Sequence, residues 1–122
     1  MGKIDSFEEL DCWKSAKELT ILVYKICENE KFKTEYFAKD QLKRAALSSM
    51  NNIAEGFGRF SNKEFIRFLN FSTSSLDEVH SMTLLYSELD YISEDQKGKV
   101  IETLQRTKYQ ALAFIKYLRK RL

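Results

Sequence analysis

Residues 52–65 read NIAEGFGRFSNKEF, and this stretch decides the fold. Before it, Leu42, Ala46, Ser49, Ile53 and Phe57 recur at three- and four-residue steps, the period of one helix face. Gly56 and Gly58, two of only four glycines in the chain, then stop that helix, which is read as Lys39 to Phe57. One of them is expected to take the left-handed conformation of a helix C-cap, which glycine adopts at little cost. Arg59 suits the negative end of the helix dipole. Ser61 starts the next helix, with Glu64 three residues on to complete a capping box. So short a link between long helices lays the two side by side and antiparallel.

The same serine device recurs in Ser6–Phe–Glu–Glu9 and Ser93–Glu–Asp–Gln96. The first opens a helix expected from Phe7 to Glu28, with Phe7, Leu10, Trp13, Ala16, Leu19, Val23 and Ile26 on one stripe. The segment Asn29 to Phe37 is charged and aromatic and reads as a connection. A third helix is expected from Asn62 to Tyr91, carrying Phe65, Phe68, Leu69, Leu76, Val79 and Leu89 inward. A fourth runs from Glu94 to Arg121 on Val100, Leu104, Ala111, Ile115 and Leu118. No stretch alternates with period two, and no proline interrupts any of the four. The expected fold is all-α, an up-down-up-down four-helix bundle.

With 122 residues the chain fits one domain around one core. No window approaches the roughly 18 apolar residues of a membrane span, and the N-terminus is too polar for a signal peptide, so no membrane association and a cytoplasmic location are expected. Cys12 and Cys27 lie about 22 Å apart along the first helix, beyond disulfide reach, and read as small buried hydrophobes. The charges are segregated. Arg106, Lys108, Lys116, Arg119, Lys120 and Arg121 occupy 103–122 with no acid, whereas Asp77, Glu78, Glu88, Asp90, Glu94 and Asp95 occupy 68–96 with no lysine or arginine. That pattern fits nucleic-acid binding at the basic end, head-to-tail pairing between copies, or two solvated helix faces.

Asn52 and Glu55 are left over once the turn is explained. With Gly56 they read as a structural polar cluster, Asn52 and Glu55 reaching Arg44, Lys63 or Arg67 across the hairpin. At least one of Arg44, Arg59 and Arg67 is expected to hold Glu55, because the dipole disfavours an acid near a helix C-terminus. Loss of Glu55 from a partly buried cluster should then cost about 1–3 kcal/mol. Catalysis finds little support. His80 is the only histidine, expected to pair with a nearby acid, and Asp77–Glu–Val–His80 has no second copy from which to build a di-metal centre. No enzymatic activity, metal or cofactor is expected. The candidate nucleic-acid contacts are Lys43, Arg44, Arg59, Lys63 and Arg67 near the hairpin and Arg119, Lys120 and Arg121 at the C-terminus. They would touch phosphates, with strong salt dependence. Tyr109, Phe114 and Tyr117 sit among the C-terminal cations at a spacing that reads as core.

The run Gln41–Glu78, QLKRAALSSMNNIAEGFGRFSNKEFIRFLNFSTSSLDE, resembles the signature of the bacterial four helix bundle protein family. That family was first noticed as reading frames within intervening sequences of large-subunit ribosomal RNA genes. The likeness extends to LDCWKSAKELTILVYKI, residues 10–26, which matches a Trp/Phe-Lys-x-Ala-x-x-Leu pattern, while the last helix matches only in kind. The resemblance implies a bundle assembled as a homopentamer. It also implies kinship with the accessory variability determinant of diversity-generating retroelements, which binds nucleic acid together with a reverse transcriptase. Asn52, Glu55, Gly56, Arg44, Arg59 and Arg67 fall on the family's motif, to which no catalytic role attaches. The proline often found before Asn-Ile-Ala-Glu-Gly is replaced here by Ser49-Met50-Asn51, which should leave the second helix straighter. A ring of copies needs two different complementary patches, and an acidic third helix with a basic fourth would supply them.

Overall fold

The computed structural model describes residues 4–122. Four helices carry the chain: α1 (Asp11–Ile26), α2 (Tyr36–Phe57), α3 (Asn62–Glu88) and α4 (Glu94–Arg119). Each packs on its neighbours in chain order and α4 closes back on α1, and the backbones of diagonal helices make no close approach among the described residues. This is the expected up-down-up-down bundle. The N-terminus of α1, the α2–α3 turn and the C-terminus of α4 therefore share one end, here called the hairpin end.

Boundaries depart from the sequence reading in three places, the first being α2, which begins at Tyr36 and not Lys39, so that Tyr36 and Phe37 lie on the helix and not in the connection. The capping box at Ser6 and Glu9 is real but serves a single 3-10 turn, Phe7–Glu9, and Leu10 in extended conformation separates it from α1. Buried Leu10 and the Phe7–Trp13 edge contact at 5.1 Å explain why apolar spacing alone joined the two. At the other end, α3 stops at Glu88. Asp90, at φ 63°, turns left-handed, its amide donating to Ser87 and that of Tyr91 to Tyr86, the paired bonds of a Schellman stop. Tyr91 thus leaves the helix and stacks on Phe32 at 5.4 Å, while its hydroxyl donates to Glu35 at 2.6 Å. Phe32 is fully buried, so the 27–35 connection belongs to the core. Asn29 ties it to the last turn by donating to the Tyr91 carbonyl and to Gln96 Oε1.

The core has two apolar halves. Leu19, Val23, Ile26, Phe32, Leu42, Leu76, Val79 and Leu104 fill the far half, and Leu10, Ile53, Phe65, Leu69, Ile115 and Leu118 fill the hairpin half. Buried hydroxyls run along the helix contacts. Thr20 of α1 donates to the Ala46 carbonyl of α2 at 3.1 Å, and Ser72 of α3 donates to the Ser49 carbonyl at 2.6 Å. Both use backbone oxygens as acceptors, so no buried side-chain polar atom among the described residues lacks a partner. Small residues at these crossings allow α2 to lie close against both neighbours. Cys12 and Cys27 are buried free thiols, and burial pushes Cys12 up to about 11 and Cys27 also upward. They act as core residues, not as thiolates.

Candidate nucleic-acid interface

The hairpin end is built by a close crossing of α2 and α3. Gly56 is buried within α2, and a Cβ added there would meet Phe68 Cβ at 2.8 Å and Phe65 Cδ1 at 2.9 Å. Gly56 is therefore fixed by space, not by conformation. The expectation that Gly56 or Gly58 would be left-handed is not met: no described glycine has positive φ, and Gly58 lies at φ −73°. The left-handed residue is Phe60, at φ 56°, and its side chain is 90 % exposed. Nothing in residue type had pointed there. Phe60 matches neither apolar stripe, and a bulky ring is a poor choice for that conformation. Its only advance signal was that it belongs to neither helix face.

The polar cluster expected of Asn52, Glu55 and Gly56 comes apart. Asn52 donates to the Ser48 carbonyl and hydroxyl at 2.8 and 2.9 Å, and Ser75 of α3 donates to the same hydroxyl, so Asn52 belongs to a seam between α2 and α3. Glu55 faces solvent and is held by Arg59 at 2.9 Å, as expected of at least one arginine. The other two candidates are engaged elsewhere, Arg44 with Asp40 and Arg67 with Glu64. The separation follows from their partners: Asn52 is drawn to Ser48 at the α3 contact, whereas Glu55 lies about 60° further round the helix, in solvent, where Arg59 one turn on reaches it.

The eight candidate cations also divide. Lys43 lies over the Tyr24 ring at 4.7 Å, and Arg44 pairs along its own helix. Fifteen residues separate Arg44 from Arg59, about 22 Å along α2, so these two stand apart from the hairpin end. The remaining six gather there. Arg59 and Arg67 lie against Phe68 at 4.9 and 5.5 Å, and Arg67 also against Phe71 at 5.2 Å, which fixes both guanidinium planes. Arg121 stacks on Tyr117 at 3.6 Å and donates to its carbonyl. Lys63, Arg119 and Lys120 are exposed, and no acid among the described residues pairs with them.

Two further readings need correction. Tyr109 is 77 % exposed and Tyr117 is exposed under Arg121, although their spacing read as core, whereas Phe114 does pack against the hairpin half. His80 makes no ion pair with an acid among the described residues. The segregated charges of α3 and α4 partly satisfy each other within the chain, through Lys108 to Asp77 at 2.7 Å, and Arg106 pairs with Glu18 of α1. These two cations are thereby removed from any external patch.

A model of the family described as 23S rRNA-intervening sequence protein matches residues 8–111, reaching well into α4, where the motif likeness had been only general. None of the curated proteins matches. Among solved structures, a Bacteroides thetaiotaomicron VPI-5482 protein of unknown function, described as from the S23 ribosomal protein family, superposes with a TM-score of 0.78. At 22 % identity over 86 % of this chain and 98 % of that one, it supports the fold alone. The four-helix architecture, the Asn52–Phe65 turn and a match over most of the sequence place this chain in the 23S rRNA-intervening sequence protein family.

Proposed function

We propose that this protein is a non-enzymatic, oligomeric helical bundle of the cytoplasm that binds RNA or DNA through phosphate contacts. One observation carries the proposal. The ends of α2 and α4 and the start of α3 bring Arg59, Lys63, Arg67, Arg119, Lys120 and Arg121 to a single end of the bundle, and Lys63, Arg119 and Lys120 have no acid partner among the described residues. Cations held without compensation are what a polyanion recognises, and their release of counterions would make binding fall steeply with salt. Lys43 and Arg44 serve at most as a secondary contact.

Gel-shift titrations against a structured RNA and a DNA duplex, from low to physiological salt, test this reading. Micromolar or tighter binding that weakens with salt, and weakens uniformly in Lys63→Gln and Lys120→Gln, supports it. Absence of binding to both probes at low ionic strength removes it.

A second reading, a protein-interaction module, is favoured by a separate observation. Tyr36, Phe37, Leu85 and Leu89 leave a contiguous apolar surface at the end opposite the hairpin, with Phe37 79 % exposed. Surface of this kind fits assembly into a homo-oligomer such as a pentamer. Light scattering of the wild type and of Phe37→Ser with Leu85→Ser separates an assembly held by this face from one that is not.

A further inference from the structure

We propose that Phe60 is a stacking platform for an unpaired nucleobase, so that the preferred ligand is single-stranded nucleic acid, an inference that rests on the phosphate-binding reading above. The ring is 90 % exposed, the most exposed large hydrophobic among the described residues, so it covers no core and contributes little to folding. Its backbone, at φ 56°, is held in a conformation that bulky side chains disfavour. A residue that costs stability and covers nothing calls for another role. The other strongly exposed aromatics are differently placed. Tyr36 lies under Lys39 Nζ at 5.3 Å, and Phe37 lies beside Leu85 and Leu89 in an apolar patch.

Tyr109, 77 % exposed, lies partway along α4, whereas Phe60 stands in the turn at the hairpin end, where the unpaired cations lie. Arg59 precedes it and Lys63 follows three residues later, and Arg119 to Arg121 end α4 at the same end of the bundle. The ring itself lines a concavity of about 460 Å³, together with Phe57, Ser61, Asn62, Phe65, Ile4 and Asp5. A nucleotide offers a matching pair of features, a π face and an anion one sugar away. Every base has such a face, so stacking is tolerant of sequence, while a paired base in a duplex has its faces covered by neighbours. The Asp5 carboxylate in that lining disfavours phosphate inside the concavity, which leaves the backbone to the cations outside it, exposed Lys63 among them.

The test is fluorescence anisotropy with a labelled ten-nucleotide single-stranded RNA, the same sequence as DNA, and the corresponding duplexes, at low salt. Wild type, Phe60→Gly, Phe60→Trp and Lys63→Gln are compared. Glycine relieves the left-handed backbone, so Phe60→Gly should melt no lower than wild type, and a lost affinity is then not a lost fold. The inference expects a roughly 5- to 150-fold weaker single-strand affinity in Phe60→Gly with duplex affinity unchanged. It expects Phe60→Trp to bind at least as well, with its indole emission quenched on binding. Equal tightness for RNA and DNA single strands assigns the contact to the base, and a preference for RNA adds a 2′-hydroxyl contact; both retain the inference. Equal single-strand affinity in wild type and Phe60→Gly overturns it while leaving the phosphate reading standing. No binding of any probe by wild type overturns both. Loss of affinity seen only together with a change in oligomeric state assigns the ring to a protein contact and also overturns it.

Discussion

Three alanine substitutions test the geometry that builds the hairpin end. Gly56, Gly58 and Gly98 all have helical or near-helical backbone and differ in what surrounds them. Replacing an exposed helical glycine by alanine gains about 1 kcal/mol from reduced chain entropy and better helix propensity. At Gly98, where an added Cβ meets nothing within 4 Å, that gain should appear in full. At Gly58 the nearest atoms are backbone oxygens at 3.6 and 3.7 Å, ordinary contact, and the change should be neutral to mildly stabilising. At Gly56 the Cβ would lie 2.8 Å from Phe68 Cβ. Carbon atoms pack at about 3.5–4.0 Å, so α2 and α3 must part by roughly 1 Å here. A Cβ cannot swing aside as a side-chain tip can. Overpacking of a well-filled core costs about 1–3 kcal/mol, and the rigidity of the obstacle places this case in the upper half of that range. Set against the propensity gain, Gly56→Ala should lose about 1–2 kcal/mol. Urea unfolding followed by helical ellipticity, at one fixed protein concentration, measures this. With a slope of about 1.5 kcal/mol per molar urea, the midpoint should drop by roughly 0.7–1.3 M for Gly56→Ala and rise for Gly98→Ala. A Gly56→Ala midpoint at or above wild type refutes the close-crossing account.

Three other outcomes follow from single contacts. Glu55→Ala should cost only about 0.2–0.5 kcal/mol by urea unfolding, below the 1–3 kcal/mol expected of a buried cluster, because the Glu55–Arg59 pair is exposed on both sides. Phe32→Ala should cost about 3–5 kcal/mol, a core-sized loss from what the sequence reads as a connection, since its ring is fully buried between Tyr86 and Tyr91. Burial raises the Cys12 thiol from 9.0 to about 11, so the unfolded chain releases that proton first; stability is intact below pH 9 and falls by about 2–3 kcal/mol as pH climbs to 11. The stability–pH slope of wild type minus that of Cys12→Ala over this interval isolates the effect, and identical slopes would refute it.

The helices were legible because each carries a repeated signal. Leu42, Ala46, Ser49 and Ile53 restate one face four times, and tertiary packing has no reason to contradict it. Single-residue outcomes were less legible where they depend on a partner distant in sequence. Phe32 looked like a loop residue until Tyr91, leaving α3 early, supplied a ring to stack on. Asn52 and Glu55 looked like companions because both lie near Gly56 in sequence. Their separation depends on Ser75 of α3, which joins Ser48 and draws Asn52 into the seam, and neither residue announces it. The cations were legible as residues but not as a surface. Pairing of Lys108 with Asp77, or of Arg44 with Asp40, is decided by helix register and cannot be told from a free lysine or arginine in the sequence.

The two exceptional residues of the turn follow from one constraint. Gly56 lets α2 and α3 cross without a Cβ between them, and that closeness leaves the chain little lateral distance in which to reverse direction. Ala54 and Gly56 accept the amides of Gly58 and Arg59, so the chain stays wound as a turn for two residues past the end of α2. Ser61 is already extended and accepting from Glu64 as the cap of α3. Only one residue remains between that wound turn and the cap of the next helix, and it takes the left-handed conformation. Glycine or asparagine would do this at least cost. Gly58, two residues earlier, is close enough in sequence to pass for that residue but sits in the wrong place for it. The geometry demands a left-handed residue at position 60; it does not demand a phenylalanine, and the comparison of Phe60→Gly with wild type asks what the ring is for.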